Sequence, residues 1–360
     1  MARSARAAAM IAGLLLLSLP CGLGLAVNIA EGNLTLHAWV AYGNPEPCGM
    51  HTVKPSQGCR PHYERLQVTS FGKPSAPPGT ALVKVAASSV NPCDWKRFVI
   101  SPFPYVPGSD FAGVVEQAGS SCGFKAGDEV WGLSLGTYSE YIVHPCSNLG
   151  LKPKSYPFEE AGSMGVVGLT GLQALRWAGA PWGASPGPRV LVLGGSGGTG
   201  HVGIQLAKAF GASEVITTCS PGNFDFVREL GADRALDYHT ENWWEVLPRG
   251  SVDVIYDCIS LPGTGDRAYQ VLADGGKFMT LLKEARVSPA VAKTRPSVSQ
   301  YYFTCNETET RHLDMLRREA EAGKLNVTIF KTYAGLEKVA EAFNETMEGH
   351  NVGKIALRIG

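Results

Sequence analysis

The chain has 360 residues, too many for one ordinary core and suited to two domains behind a short leader. Hydrophobic residues make up 44% and charged residues 18%, which excludes a disordered chain. Lys plus Arg and Asp plus Glu balance at 32 each, so nucleic acid and anionic membranes have no electrostatic reason to bind.

Residues 1–26 carry the plan of a signal peptide. Arg3 and Arg6 make a positive start, residues 7–19 are nearly all apolar, Pro20 breaks the run, and Gly24, Leu25 and Ala26 offer small residues for cleavage before Val27. The apolar run is too short for a membrane span. Such a leader predicts the secretory pathway or secretion. An organelle, plastid or mitochondrion, reached through a cleaved leader is the alternative. In an oxidising lumen the Asn-x-Ser/Thr triplets at Asn33, Asn306, Asn326 and Asn344 become candidate glycan sites. Cys48 and Cys59, in the Pro/Gly-rich stretch 43–61, either close a small loop as a disulfide or stay as two thiols. None of the nine cysteines has CxxC spacing, so a zinc knuckle or redox pair has no support.

After the leader, residues 27–158 read as a small β-rich body. Strands are predicted over 34–41, 81–86, 111–117, 129–132 and 138–143, with glycine turns between them. Residues 159–299 change pattern. A helix is predicted over 168–179, a short buried strand over 190–193, a glycine loop over 194–200 and a helix over 202–210, with Ile204, Leu206 and Ala207 inside. A strand over 214–218, a helix over 224–230 and a strand over 252–257 continue the alternation. The pattern predicts an α/β, doubly wound parallel sheet. Residues 300–360 add a helix over 309–322, a strand over 326–330, a helix over 336–347 and a last strand over 354–359.

The glycine loop is the core signal. As G-x-G-x-x-G it uses Gly195, Gly197 and Gly200, with Ser196, Gly198 and Thr199 between them. Gly195 permits the tight turn, Gly197 lets a pyrophosphate approach backbone, and Gly200 lets the helix pack on the strand. The helix N-terminus supplies N–H groups and partial positive charge to the phosphates. The second strand ends at Thr217-Thr218-Cys219-Ser220 without the Asp or Glu that grips the ribose hydroxyls of NADH. Ser220 and Asn223 can donate to a 2′-phosphate, and Tyr238 joins the expected cofactor contacts. NADPH is therefore expected over NADH. Arg228, the nearest cation, belongs to the following helix and is as well explained by solvation.

Further motifs accompany this loop. They are Val90-Asn91-Pro92-x-Asp94-x-Lys96, Pro107-Gly108-Ser109-Asp110-Phe111-Ala112-Gly113, Gly168-Leu169-Thr170, Leu230-Gly231-Ala232-Asp233, and Gly349-His350-x-x-Gly353-Lys354. With them the chain, from about residue 34 onward, resembles the medium-chain dehydrogenase/reductase superfamily in its zinc-free quinone oxidoreductase branch. It is most like the mitochondrial reticulon-interacting and chloroplast-envelope members. The resemblance implies a GroES-like β-rich catalytic domain built from both ends of the chain, a Rossmann domain over 159–299, an active-site cleft and a homodimer. It makes Gly168-Leu169-Thr170 a turn that reaches the nicotinamide, and adds Gly353 and Lys354 to the cofactor contacts. One departure is Pro221-Gly222, where the branch often carries a basic residue for the 2′-phosphate.

Zinc-dependent relatives hold their metal through Cys, His-Glu and a further ligand. Here Asn91 stands at the first Cys and Ser109-Asp110 at His-Glu. Neutral Asn and Ser do not replace thiolate and imidazole, so no metal is expected. Without a Lewis acid the easier task is hydride transfer to a conjugated acceptor, a small-molecule quinone or α,β-unsaturated carbonyl. Asn91 by its amide and Lys96 by its charge are the candidates at the developing oxyanion, and Thr170 the one at the nicotinamide. Asp94 orients Lys96, and Tyr105, Tyr138 and Tyr302 are alternative proton donors. Cys93 is expected as a packed thiol. Two other functions stay open: an enoyl-thioester reductase, and a non-catalytic NADPH-binding protein of the same fold.

Overall fold

The structure is a computed structural model that describes residues 35–41, 66–96, 106–183, 185–302 and 310–360. The chain divides into two compact units. One holds Met1–Val166, Glu307–Arg317 and Ile329–Gly360, and the other Val167–Asn306 and Arg318–Thr328.

The first unit is mainly β. Strands β1 (Thr35–Ala41) and β2 (Leu66–Gly72) form an antiparallel pair. A seven-stranded sheet combines β3 (Thr80–Ser89), β4 (Asp110–Ala118), β5 (Glu129–Leu133), β6 (Tyr141–Pro145), β7 (Gly150–Leu151), β14 (Ile329–Ala334) and β15 (Lys354–Arg358). Its order is β14-β15-β3-β4-β5-β7, and β6 also pairs with β3. Strand β3 is buried almost along its whole length, because it has neighbours on both edges and side chains packed on both faces. Ala81, Val83 and Val85 join Phe111, Val115, Val130 and Ile142 in one core. A second core forms where helix α9 (Val339–Glu348), which follows helix α8 (Thr310–Glu321) in the chain, lays Val339, Ala342 and Phe343 against Ile355 and Leu357 of β15.

A disulfide joins Cys122 to Cys146. Cys122 lies in the turn after β4 and Cys146 opens the 3-10 turn Cys146–Asn148 after β6. Sequence spacing does not reveal this pair. The registers Ala81↔Ala118 and Thr80↔Pro145 bring both segments to the start of β3. Cys48 and Cys59, offered as a disulfide or as two thiols, lie outside the described residues, as does the leader.

The second unit carries six parallel strands: β8 (Arg189–Leu193), β9 (Glu214–Cys219), β10 (Arg234–Asp237), β11 (Val252–Asp257), β12 (Leu272–Thr280) and β13 (Ser299–Tyr302). Their order is β10-β9-β8-β11-β12-β13, so the winding reverses between β8 and β11. That reversal is where doubly wound sheets bind ligands, outside the carboxyl ends of the strands. The crossovers are α3 (Gly200–Ala209), α4 (Phe224–Glu229), α5 (Trp243–Val246), α6 (Thr264–Val271) and α7 (Pro289–Thr294). Ile204, Leu206 and Ala207 of α3 are fully buried, as their spacing predicts.

Several expected boundaries move, each for a physical reason. Helix α2 spans Phe158–Trp177, so it starts well before residue 168, and the Gly168-Leu169-Thr170 segment is helix rather than turn. Its glycines weaken the helical signal but permit contact. A Cβ on Gly162 would sit 2.7 Å from the Ala87 carbonyl, and one on Gly165 would strike that of Gly132. Strand β6 begins at Tyr141, not Tyr138, because Tyr138 turns inward and is fully buried. Strand β14 begins at Ile329 because residues 326–328 are already bonded to side chains of α3. Strand β13 crosses the boundary set at residue 300, and residues 318–328 also belong to the second unit. Among the described residues no helix is long and apolar enough to cross a membrane.

Candidate active site

In the second unit the glycine loop joins β8 to α3. The left-handed residue is Gly194, at φ 78°, and not Gly195 as the motif suggested. Gly195 is required for a different reason: a Cβ there would collide with the Thr217 hydroxyl and Ile204. A Cβ on Gly200 would strike the Gly194 carbonyl, which is the close helix–strand approach the motif demands. Gly197 differs. A Cβ there would meet only the Gly194 carbonyl, at 3.4 Å, so its outer side is open to an incoming group. Ser196, Gly198 and Thr199 are half-buried around it.

The loop is held from behind. His201, fully buried, donates from Nδ1 to the Gly197 carbonyl at 3.0 Å and accepts at Nε2 from the Thr328 N–H at 3.2 Å. Those two partners require the neutral imidazole with its proton on Nδ1. One helical turn on, Gln205 brackets Asn326 by donating to its carbonyl at 2.9 Å and accepting its N–H at 2.8 Å. The Asn326 side chain is exposed, as is that of Asn344 on α9; Asn33 and Asn306 lie outside the described residues.

The far end of this edge is polar. Ser220 follows β9, and its hydroxyl donates to the Tyr238 hydroxyl at 3.1 Å and lies 3.3 Å from His239 Nε2. The register Asp237↔Cys219 explains the meeting, since it sets the residues after β10 beside those after β9. Asn223 closes the turn Pro221–Asn223, and its N–H donates to the Ser220 carbonyl at 2.9 Å. Arg228 is exposed, pairs with Asp225 at 3.2 Å and lies over the Phe224 ring, a surface cation of α4.

Asp257, which sequence reasoning missed, ends β11 beside Leu193 of β8. It is fully buried, and burial lifts its carboxyl to about 6. The N–H groups of Ser260 and Ile259 and the Thr280 hydroxyl oppose that rise. An acid at the carboxyl end of the strand beside the glycine loop was the available signal.

In the first unit, Asn91 sits between β3 and the short helix α1 (Pro92–Lys96) and is 1% exposed. Its Nδ2 donates to Asp110 at 2.7 Å, and its Oδ1 accepts from the Lys354 ammonium. Lys354 also donates to the Val90 carbonyl at 3.0 Å and lies 3.5 Å from Asp110. Asp110 further accepts from the Ser89 hydroxyl and the Val166 N–H. Asp94 accepts from the Asn91 N–H at 2.9 Å, the Ser109 hydroxyl at 2.5 Å and the Tyr138 hydroxyl at 2.8 Å. Burial pushes the Asp94 carboxyl up against the pull of those bonds, and pushes the Tyr138 phenol well up. Cys93 packs with its sulfur 3.6 Å from the Ser109 hydroxyl.

The structure therefore gathers Asn91, Lys354, Asp94, Ser109 and Asp110 into one buried knot. Lys354, expected at the cofactor, is 4% exposed with its ammonium on Asn91. Tyr138, offered as a proton donor, is a knot member bonded to Asp94. The described partners of Asp94 are Asn91, Cys93, Ser109 and Tyr138; the side chain of Lys96 and all of Tyr105 lie outside the described residues. Thr170 lies in α2 at 6% exposure. Gly353 takes φ 81° to turn the chain into β15. Tyr302 ends β13, with the Lys283 ammonium 5.9 Å over its ring.

Comparison with known proteins agrees with this architecture. The alcohol dehydrogenase GroES-like domain matches residues 77–154, and the domain described as zinc-binding dehydrogenase matches residues 230–357. The chain is 36% identical over 295 residues to 2-methylene-furan-3-one reductase of Solanum lycopersicum, covering 77% of this chain and 71% of that protein. It is 34% identical over 298 residues to the chloroplastic NADPH-dependent alkenal/one oxidoreductase of Arabidopsis thaliana, with the same coverages. The quinone oxidoreductase from Coxiella burnetii superposes with a TM-score of 0.75 at 25% identity, covering 91% of this chain and 100% of that one. The fold is that of a two-unit dehydrogenase, GroES-like and Rossmann-like. The chain belongs to the medium-chain dehydrogenase/reductase superfamily, in its quinone oxidoreductase branch.

Proposed function

We propose that the protein transfers hydride from NADPH to a quinone or an α,β-unsaturated carbonyl, without zinc. The observation that carries this reading is the state of Asn91. Its carboxamide is gripped at both ends, by Asp110 and Lys354, and its second Nδ2 hydrogen has no partner among the described residues. A fixed, dry N–H donor suits a developing enolate or quinol oxygen.

The same knot does not fit zinc. Asn91 Oδ1 faces an ammonium, and the Ser109 hydroxyl is spent on Asp94. Among the described residues no three His, Cys, Asp or Glu side chains gather as metal ligands would. The glycine edge does fit a dinucleotide, with Gly197 open and the α3 N-terminus behind it. Bound NADPH supplies the hydride. Ser196, Gly197, Gly198 and Thr199 offer backbone to the pyrophosphate, and Ser220, Tyr238 and Asn223 offer donors at the adenosine end. Thr170 and Lys96 are assigned to the nicotinamide and the acceptor oxygen, and water supplies the last proton. Relatives named for the chloroplast favour an organelle as the destination of the leader.

The test is NADPH oxidation by the purified protein against quinones, enones and enoyl thioesters. Turnover of an enone or quinone is expected, with NADH the poorer donor. Tight NADPH binding without oxidation across the set would overturn the reading.

A further inference from the structure

We propose that the second unit holds a separate binding site for a small aromatic carboxylate, in a cavity at the amino end of its parallel sheet. The site shares no residue with the glycine edge or the knot, so it is independent of the proposed reaction.

Topology places the cavity. Doubly wound sheets take their cofactor at the carboxyl ends of the strands, and the segments that enter the strands lie at the other end. Leu247 and Arg249 lead into β11, Tyr269 closes α6 just before β12, and Arg295 follows α7 on the way to β13. These residues border a cavity of about 440 Å³. Small-molecule sites occupy about 300–1,000 Å³.

The walls are already fixed. Arg295 donates from Nη1 to the carbonyls of Tyr269 and Leu272, both at 2.7 Å, and from Nη2 to Asp274 at 2.8 Å. It thereby caps the end of α6, with its side chain 12% exposed. On the apolar side, Leu247 belongs to the core of the unit, and Trp244 of α5 and Val291 of α7 pack against that core. The Trp244 indole carries the Arg267 guanidinium 4.2 Å over its ring and meets Trp243 edge-on, with centroids 5.4 Å apart. A ring held in this way offers a contact surface that costs little further ordering when a ligand arrives.

The charges select the ligand. Of those that line the cavity, two are positive and one is negative. The acid, Asp266, turns one oxygen to the Ser288 N–H at 2.7 Å, and the Arg295 guanidinium is engaged with α6 and Asp274. Arg249 differs. It is exposed and makes no hydrogen bond or ion pair among the described residues. Asp274, whose carboxyl the Arg295 bond holds below the usual carboxylate range, receives only the field of Arg249. A free guanidinium grips a carboxylate through two parallel N–H bonds. One free cation suits a monoanion better than a phosphate dianion, and the Trp244 side of the cavity suits a flat apolar ring attached to it.

The test is calorimetric binding of 2-naphthoate to the full chain, with 2-naphthamide as the same ring without the charge. One naphthoate should bind per chain, and the amide should bind about tenfold more weakly. Arg249→Met should bring naphthoate down to the level of the amide and leave the amide unchanged, and Arg249→Lys should fall between. Saturating NADPH should not alter naphthoate binding. Absence of naphthoate binding, equal affinity for acid and amide, full affinity in Arg249→Met, or displacement by NADPH each overturns the site. A chain that binds naphthoate in this way but fails to bind NADPH overturns the dinucleotide reading alone.

Discussion

The two functional regions solve opposite problems. The knot around Asn91 is closed, with two carboxylates, one ammonium and several hydroxyls satisfying one another out of water. The glycine edge is open, and its glycines keep side chains away from backbone. Buried polar groups are costly unless paired, so the knot is rigid and each member is hard to replace. Backbone donors cost nothing to hold ready at a helix start, so the loop needs only space. In the proposed function, one region orients a single donor and the other receives a whole cofactor.

The largest effect that would break this contrast is at Gly200. Gly200→Val drives a branched side chain into the Gly194 carbonyl, and backbone cannot yield there. We expect nucleotide affinity to fall at least about 100-fold, roughly 3 kcal/mol, with loss of cooperative melting of the second unit. Gly197→Ala should separate space from folding. Its Cβ would make only an ordinary contact with the Gly194 carbonyl at 3.4 Å, so calorimetry should show about tenfold weaker NADPH while the melting temperature holds. If Gly197→Ala binds normally, the open side of the loop is not the phosphate site.

The knot should fail differently. Lys354→Met leaves Asp110 buried with its cation removed and should cost about 3–5 kcal/mol in urea denaturation. Adding Asp110→Asn should recover part of that loss, because the uncompensated charge goes too. The Cys122–Cys146 bridge, packed on the first-unit core, should contribute about 3 kcal/mol, seen as a lower midpoint in Cys146→Ser or under reductant. Asn91→Ala should lower kcat about 100-fold, the usual effect of removing one oxyanion donor. A change confined to the NADPH KM would move Asn91 from the acceptor to the cofactor.

Much of the second region was legible in sequence, and less of the first. The glycine motif and the apolar runs of β8 and β11 are local patterns, and the parallel sheet follows from them. The residues at 91, 109 and 110 also flagged a site. What the chain order hides is pairing over distance. Lys354 reaches Asn91 only because β15 lies beside β3. His239 meets Ser220 only through the β9–β10 register, and Cys122 meets Cys146 only at the start of β3. Helix α2 was shortened because its glycines look like breakers until the carbonyls they approach are known. Propensity is local, and these contacts are tertiary.

The smallest net effect is in pH, because two buried groups, one in each unit, respond with opposite sign. Asp257 in the second unit has its carboxyl raised by burial to about 6. The native state there holds a proton that the unfolded chain releases near 4, so its stabilisation is complete below about pH 4 and lost as pH rises through 6. His144 in the first unit is lowered by burial to about 4, against an opposing bond to the Asn148 carbonyl. Its contribution is present above about 6.5 and lost as pH falls toward 4. Each group is worth on the order of 2 kcal/mol across that window, so their two contributions should nearly cancel between pH 4.5 and 6. Amide exchange resolves the units. Protection in β8 and β11 should fall as pH rises, after correction for intrinsic exchange, while protection in β3 and β6 should climb. Asp257→Asn should flatten only the first slope and His144→Gln only the second. If the slopes share a sign in the wild type, burial does not control both groups, and the contrast between a closed and an open region ends at the sites themselves.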